Sequence, residues 1–149
     1  MNTTTDNLLP ALQRIAHLLY GINYEVWLNI YGPFEVSVDL DQLLKEHVSK
    51  DAIISESHST SICEAQDDIM SMILYEGDSS SGPTELTNKR NELTELMGNV
   101  FKLIKIADAT NVVSFGFSEG HPAYPVFWDF AYDIQSNDSR LLFIGCSSD

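Results

Sequence analysis

A chain of 149 residues with 22 acidic and 8 basic side chains, a net charge of -14, is long enough for one self-sufficient hydrophobic core and too negative to compete for phosphates. Nucleic acid is therefore not an expected partner, and the field around the folded chain favours cations and basic proteins. Two distant cysteines, Cys63 and Cys146, no basic leader, and no apolar run near the ~20 residues that span a bilayer argue against a disulfide framework and a membrane helix, and lead to the expectation of a cytoplasmic protein with reduced thiols.

Asp6 to Tyr20 predicts a first helix: Asp6 or Asn7 serves as cap, Pro10 is tolerable in the first turn, Leu8, Leu12, Ile15, Leu18 and Leu19 fall at helical spacing, and Gly21 is the stop. The period then changes to two. Tyr24, Val26, Leu28 and Ile30 alternate with Glu25, Trp27, Asn29 and Tyr31, and beyond Gly32-Pro33 the residues Phe34, Val36, Val38 and Leu40 alternate with Glu35, Ser37 and Asp39. This predicts a hairpin whose outer face sets Glu25, Glu35 and Asp39 beside the aromatic anchors Trp27 and Tyr31. A helix continuing from Tyr20 to Tyr31 is the competing reading.

Leu40 to Val48 predicts a short helix with Leu40, Leu43, Leu44 and Val48 on one face. After a loop or short strand at Ala52 to Ser55, Ser61 and Glu64 form the capping-box pattern of another helix, with Ile62, Ala65, Ile69, Met72 and Ile73 inward and Asp67, Asp68 and Ser71 outward. The segment Asp51 to Asp78 holds seven acids, Glu56, Glu64, Asp67 and Asp68 among them, and no Lys or Arg. Residues 78–83 read as a flexible connection inside a single domain spanning residues 1–149.

Thr84 is the expected cap of the longest helix, Glu85 to about Ile106, with an apolar stripe of Leu86, Leu93, Met97, Val100, Phe101 and Ile104. Gly98 within it costs about 1 kcal/mol relative to alanine and is read as room for close packing on a sheet. The last third returns to strand chemistry. Val112 to Phe117 is β-rich, Val126 to Gln135 alternates Trp128, Phe130, Tyr132 and Ile134 with Asp129 and Asp133, Ser136 to Ser139 is a turn, and Leu141 to Ile144 is an apolar strand. A helix from Pro125 competes, since Asp129, Asp133 and Ser136 also share a helical face.

Gly116-Phe117-Ser118-Glu119-Gly120 matches the G-x-S-x-G nucleophile elbow, but His121-Pro122-Ala123-Tyr124-Pro125 stands where the elbow requires a helix, and no histidine follows His121. The stretch is read as a glycine-rich loop between strands. His58, Cys63, His121 and Cys146 show no metal-ligand spacing, and no P-loop or dinucleotide fingerprint occurs, so no cofactor is expected. Asp129 and Asp133, ~13 Å apart along one strand at ~3.3 Å per residue, are too distant to share a glycosidic bond and read as exposed solubilising charges.

These features predict an α+β domain in which an antiparallel or mixed sheet is packed by the long helix and the amino-terminal helix. With no catalytic constellation and a large acidic excess, the expected role is a protein-binding module. The specific reading is an immunity-type inhibitor that neutralises a basic partner such as a toxin nuclease domain. The expected contact residues are Glu25, Trp27, Tyr31, Glu35, Asp39, Glu56, Glu64, Asp67, Asp68, Glu119, His121 and Tyr124. The competing roles are a small hydrolase or ligand-binding protein using the Ser118 to Tyr124 loop, and a structural or adaptor subunit.

Overall fold

The structure, a computed structural model, describes residues 3–149, with side chains from Leu8 onward. The chain runs through α1 (Thr3–Leu19), β1 (Gly21–Ile22), β2 (Glu25–Phe34), α2 (Leu40–Leu43) continuing as a π-helical turn (Leu44–Val48), β3 (Ile53–Thr60), α3 (Ile62–Ile73), β4 (Gly82–Pro83), α4 (Leu86–Leu103), a 3-10 turn (Ile106–Asp108), β5 (Asn111–Glu119), β6 (Trp128–Gln135) and β7 (Arg140–Ser148). β2, β7, β6, β5 and β3 form, in that order, a five-stranded antiparallel sheet, and β1 pairs with β4 in a separate ribbon. This is the expected α+β domain. Among the described residues no helix is long and apolar enough to cross a membrane.

The sheet is organised by β7, which is apolar on both sides. Leu142, Ile144 and Cys146 point to one face, Phe143, Gly145 and Ser147 to the other, and all are buried. A strand buried on both faces belongs in the middle of a sheet and needs two partners. β6 supplies one across the 136–139 turn, where the Ser136 N–H donates to the Ser139 carbonyl. β2 supplies the other, and here the structure corrects the predicted hairpin. Glu25 to Tyr31 pairs with β7, the strand passes through Gly32-Pro33 with a register shift, and only residues 35–39 turn the chain, into α2. Alternation shows which side chains share a face; it does not show which strand lies alongside.

One face carries the principal core. Trp128, Phe130, Tyr132 and Ile134 of β6 join Val26, Phe143 and Val112 under α1, α3 and α4, which contribute Leu12, Ile15, Leu19, Ala65, Ile69, Ile73, Leu93, Met97 and Val100. The alternation predicted for β6 and the inner faces of α1 and α3 are as expected. Ser61 caps α3 by accepting the Glu64 N–H at 3.0 Å, while the Glu64 carboxylate accepts the Thr60 hydroxyl. Asp68, expected outward, turns towards the sheet because the Tyr132 hydroxyl donates to it. Burial, reinforced by the Asp68 hydrogen bond, raises the Tyr132 phenol well above its ordinary value. Asp6 and Asn7, the expected cap of α1, lie outside the residues whose side chains are described.

The opposite face has a smaller core, in which Leu43 and Leu44 cover Phe115, Ala131, Leu142 and Ile144, with Trp27, Tyr31 and Phe34 packed at its edge. Trp27 and Tyr31 are therefore half-buried, not the exposed anchors of an outer surface. Residues 78–83 are tied down: Asp78 accepts the backbone N–H groups of Ser80 and Ser81, and Gly82–Pro83 pairs with β1. Thr84 does not cap α4. Its hydroxyl reaches the Tyr20 carbonyl, and Glu85, at φ 52°, occupies the cap position without a side-chain bond. Gly98 packs on nothing, since a Cβ placed there meets no atom within 4 Å.

Candidate functional site

After β5 the chain crosses the smaller-core face in a loop, residues 120–127, before entering β6. GFSE is therefore the end of a strand and not an inter-strand loop: Phe117 pairs with Ile54, Glu119 pairs with Ile53, and the Ser118 hydroxyl donates to the Ile53 carbonyl at 3.3 Å. Gly120 (φ +73°) brings the backbone against Asp51 and Ala52. His121 then packs between two aromatic rings, edge-on to Phe117 at 4.9 Å and to Trp27 at 6.3 Å between centroids.

The His121 ring is anchored to the loop backbone. Its Nδ1 lies 3.0 Å from the Ala123 nitrogen and 3.2 Å from the Ala123 carbonyl oxygen, accepting from the one or donating to the other according to tautomer, and its Nε2 is a buried atom with no hydrogen-bond partner among the described residues. Burial lowers the His121 pKa below the ordinary histidine value, opposed by the Ala123 backbone and the negative charge of Asp129. The folded protein thus binds this proton less readily than the unfolded chain. The associated stability is complete above the unfolded value of ~6.5 and is lost as pH falls from there through the depressed folded value. Wild type should lose stability faster than His121→Asn between pH ~7 and ~5, as read by urea midpoints; parallel curves would remove His121 as the cause.

Beneath the loop lies Cys146, in a cross-strand row with Trp27 on one side and Asp129 on the other. Burial pushes its thiol up to about 12, with the Asp129 charge adding to the shift and the Tyr124 backbone opposing it. A thiol protonated at neutral pH is a packing group and a poor nucleophile. Neither Cys146 nor Ser118 is activated by the imidazole, whose Nδ1 is committed to the loop backbone.

What the loop presents outward is Tyr124, 86% exposed, followed by exposed Pro125 and Val126. Phe117, His121, Ala123 and Tyr124 line a shallow groove of about 330 Å³ beside it. Glu119 and Asp129 are exposed at the two ends of the loop, Asp51 is exposed against Gly120, and Glu25 opens β2 two residues before Trp27.

The remaining predicted contact residues lie elsewhere. Glu35 and Asp39 flank the turn at the far end of β2, ~30 Å from Glu25 at ~3.3 Å per residue. Glu56 is on β3, the opposite edge of the sheet, ~19 Å from β2 across four strand spacings. Glu64, Asp67 and Asp68 belong to α3, over the other face. The structure therefore brings Trp27 and His121 together beside Glu119 and Tyr124, with Glu25 on the Trp27 strand and Glu56 on the strand adjoining Glu119, and it places Glu35, Asp39, Glu64, Asp67 and Asp68 away from this loop.

Sequence reasoning missed two members of this region, Asp129 as a charge beside the loop and Cys146 as its floor. It also misjudged Asp133, which is 1% exposed and paired with Arg140. A signal for that pair existed. Arg140 is the only basic residue after Lys105, and a hairpin turning at 136–139 sets it opposite Gln135, diagonal to Asp133. No protein-family model matches the chain, and no curated protein matches it.

Proposed function

We propose that this chain is a protein-binding module that captures a basic partner through the 120–127 loop, acting as an inhibitor of the immunity type. The observation that carries the reading is the placement of Tyr124, the most exposed large hydrophobic side chain of the described residues, on a loop between exposed Glu119 and Asp129. An aromatic anchor with two rotatable torsions costs little entropy to bury, and surrounding carboxylates steer a cationic surface towards it. The charge distribution supports this. Asp133 is the one buried acid of the described residues, so the acidic excess faces solvent. A basic toxin domain is the kind of partner this chemistry fits, and the free cysteines fit a reducing compartment such as the cytoplasm.

The test is capture from the native host at about 0.1 M and about 1 M salt, a change that shortens electrostatic screening from ~10 Å to ~3 Å. A basic protein should be retained at low salt and released at high salt. Tyr124→Ala should weaken its binding about 30-fold, a hot-spot loss of ~2 kcal/mol, without changing stability. Glu119→Lys with Asp129→Lys should mainly slow association. An acidic or salt-insensitive partner, or full binding by Tyr124→Ala, sinks the proposal.

A further inference from the structure

The geometry points to a second binding site, a groove beside the end of α4 that takes a medium-chain aliphatic carboxylate, with the apolar tail over Gly98 and Phe101 and the head on Lys102 and Lys105. The groove has a volume of about 420 Å³ and is lined by these four residues together with Gln66 of α3 and Ile106. Its size falls in the range of roughly 300 to 1,000 Å³ typical of small-ligand sites.

Two independent observations select an anionic, apolar occupant. The first is the use of the basic residues. Arg14, Arg90 and Arg140 hold carboxylates, and Lys45 and Lys89 donate to the carbonyls of Ala52 and Leu18. Of the described Lys and Arg side chains only those of Lys50, Lys102 and Lys105 have no hydrogen-bond or ion-pair partner, and two of these three, both exposed, stand on this groove. Cations near a helix C-terminus are favoured by the helix dipole, which accounts for their charge but not for the apolar opening beside them.

The second observation is Gly98. A Cβ at this mid-helix position would meet nothing within 4 Å, so no neighbour requires the glycine, and the missing side chain leaves the helix surface open where it lines the groove. Asp108 lies on the same rim and repels a carboxylate, which directs the head to the lysine side. The overall charge of -14 disfavours anions everywhere else, so saturable uptake of one requires a local arrangement of this kind. The site is on the helical side of the sheet, away from the 120–127 loop, and stands apart from the proposed protein-binding role.

Calorimetric titration of the full chain with decanoate tests this, with 1-decanol as the uncharged control of equal chain length. Decanoate should bind saturably at one site, and decanol and the Lys102→Gln/Lys105→Gln variant should each show binding about tenfold weaker. Gly98→Leu, whose added side chain starts in open space, should fold normally by circular dichroism and lose binding. Absence of saturable binding by wild type, equal affinity for decanol, or wild-type affinity in the lysine variant or in folded Gly98→Leu overturns the assignment. Should Gly98→Leu not fold, the lysine variant and the decanol comparison decide the matter alone.

Discussion

Replacing Arg140 with methionine is expected to lower the unfolding free energy by about 3 to 5 kcal/mol, the cost of leaving one partner of a buried ion pair uncompensated. The pair sits on the smaller-core face, with Arg140 6% and Asp133 1% exposed. The Arg140 Nε donates to Asp133 Oδ1 at 3.1 Å, its second terminal nitrogen donates to Oδ2, and Gln135 Nε2 donates to the same oxygen at 2.9 Å. The remaining Arg140 nitrogen reaches the carbonyls of Val36 and Val38. Every charge is thus hydrogen-bonded, and the guanidinium also fastens the turn between β2 and α2 to the sheet. A domain of this size has ~5 to 15 kcal/mol in total, so Arg140→Met would stand near the limit of folding. Urea unfolding measures the loss, and amide exchange at residues 36–38 should rise with it. The double change Asp133→Leu with Arg140→Met should recover much of the stability because no charge is stranded, though the Val36 and Val38 carbonyls stay without their donor. A single-variant loss within ~1 kcal/mol would mean the pair contributes no more than a surface contact.

Features decided within a few residues could be read from the sequence. The Ser61 cap needs only Glu64 three positions on, and β6 declares itself because Trp128, Phe130, Tyr132 and Ile134 bury one face of a single strand. Features decided by distant partners could not. The alternation from Tyr24 to Leu40 is the same whether Gly32-Pro33 turns the chain or lets it pass, and the choice was made by β7, a strand more than a hundred residues later that required a second neighbour. Asp129 and Asp133 share a face of one strand, yet one is solvated and the other buried, because Arg140 stands beside only the latter. The residues of the candidate loop, Glu119 to Tyr124, were legible in the sequence; which other acids lie near them was not, since that depends on strand order and on which face a helix covers: Glu64 and Asp67 lie on α3, over the helical face.

Gly120→Val should cost about 2 to 4 kcal/mol and abolish the proposed partner binding, because it forces a β-branched residue into left-handed backbone and into a filled space at once. The native φ is +73°, and a Cβ at this position would stand 2.4 Å from the Asp51 carbonyl carbon and oxygen and 2.5 Å from the Ala52 nitrogen. All three are backbone atoms, so no side-chain rotation relieves the contact, and the loop or the turn that leads into β3 must move. Movement of the loop withdraws His121 from between Phe117 and Trp27 and uncovers Cys146, which should become accessible to thiol reagents in the folded variant. This outcome separates the loop's conformation from its chemistry. Tyr124→Ala should leave stability and Cys146 protection unchanged while weakening binding, whereas Gly120→Val should change all three together. Wild-type stability with Cys146 still protected in Gly120→Val would show that the Asp51 contact does not set the loop, and the ordered presentation of Tyr124 would then need another cause.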